Sequence, residues 1–248
     1  MTAYLRFVWL DTRLNTVELA RMPAYVIPTL LMPVMLYAFF GLPYAGGGSD
    51  AAVTLGSYAA FAVIGVALFQ FGVGIAVDRT SPWESYLRTL PIPSTARFAA
   101  RLASALIFAS ASATLVAIAG STIGHAAVPP LVWFRLAAAL VAGAVVFGTM
   151  GIAIGYWTGA KASVPIANVI YLLLAFVGGL WIPPNMLPAI VAPVSPFTPT
   201  RQYGEIVWAS MLGKPWPVSA LVTLAIYAAM FFAIAWWGYR RNETQRYR

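Results

Sequence analysis

Leu55 to Val77 reads LGSYAAFAVIGVALFQFGVGIAV, 23 residues without one Asp, Glu, Lys or Arg. A bilayer's hydrocarbon core is about 30 Å thick and a helix rises about 1.5 Å per residue, so about 20 apolar residues cross it. Five further uncharged stretches meet that requirement: Ala24 to Leu42, Leu102 to Gly124, Leu136 to Thr158, Ala162 to Ile182 and Trp216 to Tyr239. The expected fold class is therefore an all-α integral membrane protein with six transmembrane helices. Met1 to Met22 is long and mixed and leads into a full span, so no cleaved signal peptide is expected.

Composition supports this reading. Of 248 residues, 61% are hydrophobic and 9% charged, too little charge to cover a water-soluble globule. There is no Cys and a single His, His125, which excludes a disulfide framework, a thiolate or multi-histidine metal site and a Cys or His-based triad. The net charge of +8 would suit nucleic acid only if clustered on a soluble face. Instead the basic residues flank the spans. Arg6, Arg13, Arg21, Arg79, Arg88, Arg97, Arg101, Lys161, Arg240, Arg241, Arg246 and Arg248 fall on one side, and Arg135, Arg201 and Lys214 on the other. The positive-inside rule makes the first side cytoplasmic, with both termini there. The charge thus reports orientation, and no nucleic-acid partner is expected.

The connecting segments carry the remaining information. In residues 1–23, Phe7, Leu10, Leu14 and Val17 form an apolar stripe beside polar Asp11, Asn15 and Glu18. This fits a helix lying in the membrane interface, the alternative being an extension of the first span. After the second span, Ser81-Pro82-Trp83-Glu84 is a helix-start signal, with an N-cap hydroxyl, Pro at the first position and Glu reaching back. Pro91 ends that helix, giving 82–90, on which Trp83, Tyr86, Leu87 and Leu90 share one face. A helix this short is marginal alone, so its apolar face must be buried. The membrane surface or the inner ends of the chain's own spans would serve, and so would a groove on a cytoplasmic partner.

Between the last two spans, Pro183, Pro184, Pro188, Pro193, Pro196 and Pro199 follow Gly178-Gly179 in an otherwise apolar stretch. No regular helix runs through it. Two short helices dipping into the outer leaflet over 183–212 are expected, one before Pro193 and one around Tyr203 to Leu212. Arg201 and Glu205, four apart, can pair on the second. A locally packed outer loop is the alternative. Gly151, Gly155 and Gly159 allow close helix approach, within the chain or between copies.

Chemistry of other kinds is missing from the chain. Neither lysine, Lys161 or Lys214, lies in a phosphate-cradling motif, and the spans hold no carboxylate pair. The chain is not expected to be catalytic by itself. Nor do the spans carry the Asp, Glu or His that proton-driven pumps use at membrane depth. A transporter of this kind would draw energy from a separate nucleotide-hydrolysing subunit. Phe69, Gln70, Asn168 and Tyr171 are candidates for lining a path for an apolar or amphipathic cargo, or for tying helices together.

At this point the layout resembles the ABC-2 type (type V) ABC transporter permeases over nearly the whole chain. Val77-Asp78-Arg79-Thr80-Ser81-Pro82-Trp83-Glu84-Ser85-Tyr86-Leu87-Arg88-Thr89-Leu90-Pro91-Ile92-Pro93 looks like that family's coupling stretch, with Asp78 where Glu is commoner. Gly179 to Pro188 followed by Ser195-Pro196-Phe197-Thr198-Pro199 looks like its re-entrant outer motif. The resemblance implies a membrane subunit of a bacterial exporter in the cytoplasmic membrane, paired with a second permease subunit and two separate ATPase subunits that bind ATP and Mg. Asp78, Arg79, Pro82, Trp83, Glu84, Tyr86, Leu87, Arg88 and Leu90 would couple to the ATPase. Gly179, Pro183, Pro184, Pro196, Pro199, Arg201 and Glu205 would shape the outer segment. The implied cargo is a drug, antibiotic or lipid-like molecule. The alternatives are a lipid-linked glycan or an ion, or a secondary carrier or channel needing no ATPase.

Overall fold

The computed structural model describes residues 2–46, 48–82, 93–124, 126 and 128–246. Among them the regular structure is helical, with no strand. Helix α1 spans Thr2–Ala20. It is followed by α2, Pro23–Gly41, and α3, Gly48–Asp78. Next come α4, Ser94–Thr122, α5, Pro130–Trp157, and α6, Ala160–Val177. The short α7, Pro199–Met211, precedes α8, Val218–Arg246. Six of these, α2 to α6 and α8, are long and apolar enough to cross a membrane.

Helix α3 is the axis of the bundle. Leu55, Tyr58, Phe61, Ile64 and Leu68 along it are fully enclosed, and α4, α5, α6 and α7 all pack on it. Its small residues explain that position. Ala59, Ala60, Ala62 and Gly65 leave little side-chain bulk, so neighbouring backbones approach closely, which is how helices associate in lipid. Helices α6 and α8 instead turn Val169, Leu173, Phe232 and Trp237 outward.

Two spans are less regular than their hydropathy suggests. Helix α2 alternates α-helical turns with π-helical ones at Ile27–Leu31 and Tyr37–Gly41. Pro28 and Pro33 lack the N–H and crowd the preceding turn, and a wider turn accommodates both defects. Helix α3 starts earlier than Leu55, with Asp50 in its first turn, where the helix dipole favours an anion. It widens to a π-helix at Leu68–Val73. Against that wide turn lies α5: a Cβ on Gly151 would sit 2.7 Å from the Ala67 carbonyl, and one on Gly155 2.9 Å from that of Phe71. These two glycines therefore make a contact within the chain, while Gly159 lies beyond α5 with nothing near its missing side chain.

The fifth span ends earlier than Ile182, at Val177. Gly179 takes φ +79°. Leu180 N–H donates to the Ala175 carbonyl at 3.0 Å and Gly179 N–H to that of Phe176 at 3.1 Å, a glycine-closed helix end. Because φ is positive and a Cβ would lie 3.1 Å from Pro184 Cγ, Gly179→Ala should cost about 1–2 kcal/mol. A thermal unfolding midpoint lowered by a few degrees in detergent is the expected result; an unchanged midpoint would contradict it.

The segment that follows departs from the expected pair of short helices. Before Pro193 there are only 3₁₀ turns and single hydrogen-bonded turns, among them Pro184–Met186 and Val191 N–H to the Pro188 carbonyl. Pro184, Pro188 and Pro193 withdraw donors at short intervals, so no ladder propagates. The second helix, expected around Tyr203, begins four residues earlier. Thr198 caps it, its Oγ1 accepting from Arg201 N–H at 3.2 Å, and Pro199 takes the first helical position.

Candidate functional site

The basic end of the bundle gathers the ends of α3, α5 and α8 with the start of α4. Asp78 closes α3, and Arg101, on the second turn of α4, donates to its Oδ2. That ion pair ties together the two stems of the 79–93 connection. The next residue, Arg79, turns the other way. Its guanidinium donates to the Gly155 carbonyl at 2.6 Å and to Asn242 Oδ1 at 3.3 Å. It also lies over the Tyr156 ring, 5.6 Å from the centroid. Beside it α5 and α8 are clasped by aromatic contacts. Trp157 Nε1 donates to the Ile234 carbonyl at 3.0 Å and its ring meets Trp237 edge-on at 4.9 Å. Tyr156 meets Tyr239 edge-on at 5.6 Å.

Of the residues assigned to coupling, Asp78 and Arg79 are thus built into the stem, and Pro82 is exposed. Trp83, Glu84, Tyr86, Leu87, Arg88 and Leu90, and with them the helix expected over 82–90, lie outside the described residues, as does His125. The sequence reading missed the partners of the stem. Nothing in the spacing of residues joins Arg79 to Asn242 or Asp78 to Arg101.

The four residues considered for a cargo path do not line one surface within this chain. Tyr171 is enclosed, donating from its hydroxyl to the Phe61 carbonyl at 3.1 Å and stacking on the Phe61 ring at 4.2 Å. Gly65 makes room for it: a Cβ there would lie 2.6 Å from the Tyr171 oxygen. Phe69 meets Tyr171 edge-on at 6.2 Å. Gln70 faces away toward α2, its Oε1 accepting from Tyr25 Oη at 2.7 Å. Asn168 is half-buried on α6. Three of the four thus join helices through buried contacts.

The opposite end is built around α7. Thr200 Oγ1 donates to the Leu174 carbonyl at 2.7 Å, and Trp208 Nε1 donates to Ser57 Oγ at 2.7 Å. Tyr203 presses on α5 at Gly143, half-way along that helix, with Phe147 5.5 Å from its ring. The start of α7 therefore lies beside the middle of α5, while Met211 at its end packs against Gly56 near the start of α3. Arg201 and Glu205 pair at 2.7 Å, and the Arg201 guanidinium lies over Trp208 at 5.2 Å. Gly179 closes α6, Pro199 opens α7, and Pro183 and Pro184 lead into the first 3₁₀ turn, while Pro196 lies in the last. Ile190 and Phe197 are left exposed on this rim.

On the α1 side, the threonine face is turned inward. Thr16 Oγ1 donates to Ser104 Oγ at 3.2 Å, and Thr12 Oγ1, which donates to the Val8 carbonyl of its own helix at 2.7 Å, lies 3.3 Å from the Ala100 carbonyl. Leu5, Trp9, Leu10 and Leu14 point away from the protein.

Two comparisons with known proteins bear on this architecture. Residues 7–212 match the ABC-2 type transporter family. The chain is also 25% identical over 224 residues to the protein named "Putative transport permease YvfS" of Bacillus subtilis (strain 168), a match covering 89% of this chain and 91% of that one. A family match that runs from α1 through α7, over five of the six long apolar helices, leads to one conclusion: this chain is a multi-pass membrane permease belonging to the ABC-2 type transporter family.

Proposed function

We propose that the chain is the membrane-spanning half of an ATP-driven exporter in a bacterial cytoplasmic membrane. Separate ATPase subunits would bind ATP and Mg and press on the 82–90 segment, and a second permease subunit would complete the pathway. The observation that carries this reading is the stem at the basic end. Asp78 with Arg101 and Arg79 with Gly155 and Asn242 anchor both sides of the 79–93 connection to four helices. A push on that connection is delivered to the bundle rather than lost in a slack loop.

Orientation follows from the same residues. With the arginine-rich end in the cytoplasm, as the positive-inside rule requires, α1 lies at the inner interface with Leu5, Trp9 and Leu14 in lipid. The segment from Gly178 through α7 re-enters the outer leaflet, with Leu187, Ser195 and Thr198 turned into the protein and most of the rest of the stretch before α7 at its rim. The outward apolar residues of α6, with Ile190 and Phe197 on the rim, offer a face for the second permease subunit. A pathway between two subunits, walled by such apolar surfaces, suits an apolar or amphipathic cargo.

The test is reconstitution of the chain with the co-purified ATPase in inside-out vesicles containing a fluorescent phospholipid analogue and a cationic amphipathic dye as separate probes. ATP-dependent movement of either probe, absent without the ATPase, is expected. Movement by the chain alone down an ion gradient would replace this reading with a secondary carrier.

A further inference from the structure

Helix α5 ends at Trp157, so its last carbonyls have no partner further along the helix. Ile154 is served by Thr158 N–H at 2.9 Å. The Gly155 carbonyl is instead taken by Arg79, the residue just past the end of α3, at 2.6 Å. A cation at a helix C-terminus meets the negative end of the dipole, and a charged donor makes a stronger hydrogen bond than a neutral one. The glycine matters here. Only without a side chain can α5 come this close to the Phe71 and Gly72 carbonyls of α3, which brings its terminal carbonyl within reach of Arg79. The planar guanidinium then has donors to spare. One reaches Asn242 on α8, and its face covers Tyr156, whose ring in turn meets Tyr239 of α8.

We infer that Arg79 is a positioning residue that locks the cytoplasmic ends of α3, α5 and α8 into one unit, so that displacement of the adjoining loop moves α5 and α8 with α3. The source of that displacement rests on the ATP-driven reading; the clasp itself does not. Its consequence for transport is specific. Without Arg79 the ATPase can still dock and hydrolyse, but the movement stops at the end of α3.

Two measurements decide this. The chain has no cysteine, so labels go only where a cysteine is introduced. Thr80 and Gly159 are exposed, and a side chain at Gly159 meets nothing within 4 Å. Spin labels at Thr80→Cys and Gly159→Cys on the purified full chain should give one narrow distance distribution, broadened about twofold in R79Q if the coupling is local to this contact. R79K, which keeps the charge but loses the fork, should fall between them. Tyr25→Phe, which removes a hydrogen bond elsewhere in the bundle, should leave the distribution unchanged. A distribution in R79Q as narrow as in the parent overturns the clasp.

The second measurement uses the complex with its ATPase and a bimane label at Gly159→Cys. Trapping ATP with vanadate should shift the emission in the parent. In R79Q, at equal co-purified ATPase and equal trapped nucleotide, the shift should fall about fivefold. A full shift in R79Q overturns the transmission role. If no ATPase co-purifies with the parent, or trapping leaves its emission unchanged, the ATP-driven reading fails instead, and the distance measurement still decides the clasp.

Discussion

Replacing Trp83 and Leu87 together by alanine should abolish the stimulation of ATP hydrolysis by the permease while leaving the chain inserted in the membrane. Both residues lie on the apolar face of the expected 82–90 helix, one turn apart. In helix-in-groove recognition, a few large apolar anchors supply most of the affinity. Losing an aromatic and an aliphatic anchor at about 2 kcal/mol or more each weakens docking by about a thousandfold. The spans and the stem contacts of Asp78 and Arg79 are untouched by the substitutions, so yield and monodispersity should match the parent. ATPase activity of the co-purified complex, measured in lipid, is the readout. Unchanged stimulation would place the energy input elsewhere. Arg79→Gln makes an informative contrast, because it should leave docking intact and remove only the movement downstream of it.

The largest effect on stability is expected at Gly143. A Cβ there would lie 2.1 Å from Cζ of Tyr203. The ring cannot swing aside, since Tyr203 is fully enclosed and packed against Phe147. Gly143→Ala should therefore force α7 away from α5, at a cost of about 3 kcal/mol, at the upper end for overpacking a tight site. A fall of about 5–10 °C in the thermal midpoint in detergent is expected. Tyr203→Leu in the same chain shortens the clashing group and should recover at least half of the loss. Non-additivity of that pair is what identifies the contact as the cause. A Gly143→Ala chain with a parental midpoint would show that α7 does not reach that depth.

Much of the architecture was legible because lipid imposes simple rules. The six uncharged stretches of about 20 residues and the pairing of Arg201 with Glu205 follow from local chemistry. The errors were local too. The fifth span was extended over Gly178 and Gly179, because Leu180, Trp181 and Ile182 are apolar; hydropathy does not register a left-handed glycine. Two short outer helices were expected where one exists, since prolines at 184, 188 and 193 break even a single turn-to-turn ladder. For Gln70, Phe69 and Tyr171 the sequence leaves both a path and helix–helix packing open, with packing the more frequent role of such residues. Their buried partners, Tyr25 and Phe61, come from other helices and carry no signal at a fixed spacing.

The amino-acid sequence by itself determined that the chain is a multi-pass membrane protein with six stretches long and apolar enough to cross, which end carries the arginines, and where the connection after the second apolar stretch begins. Those properties depend on the free energy of transferring each residue into lipid, which is nearly additive along the chain. Which helix forms the axis, and which residues meet at the basic end, only the tertiary structure decided. In a bilayer both the protein-facing and lipid-facing sides of a helix are apolar, so hydropathy does not distinguish them. Close approach at Gly65, Gly143, Gly151 and Gly155, and charged groups reaching across the bundle from Asp78 and Arg79, select one packing among many of equal hydropathy.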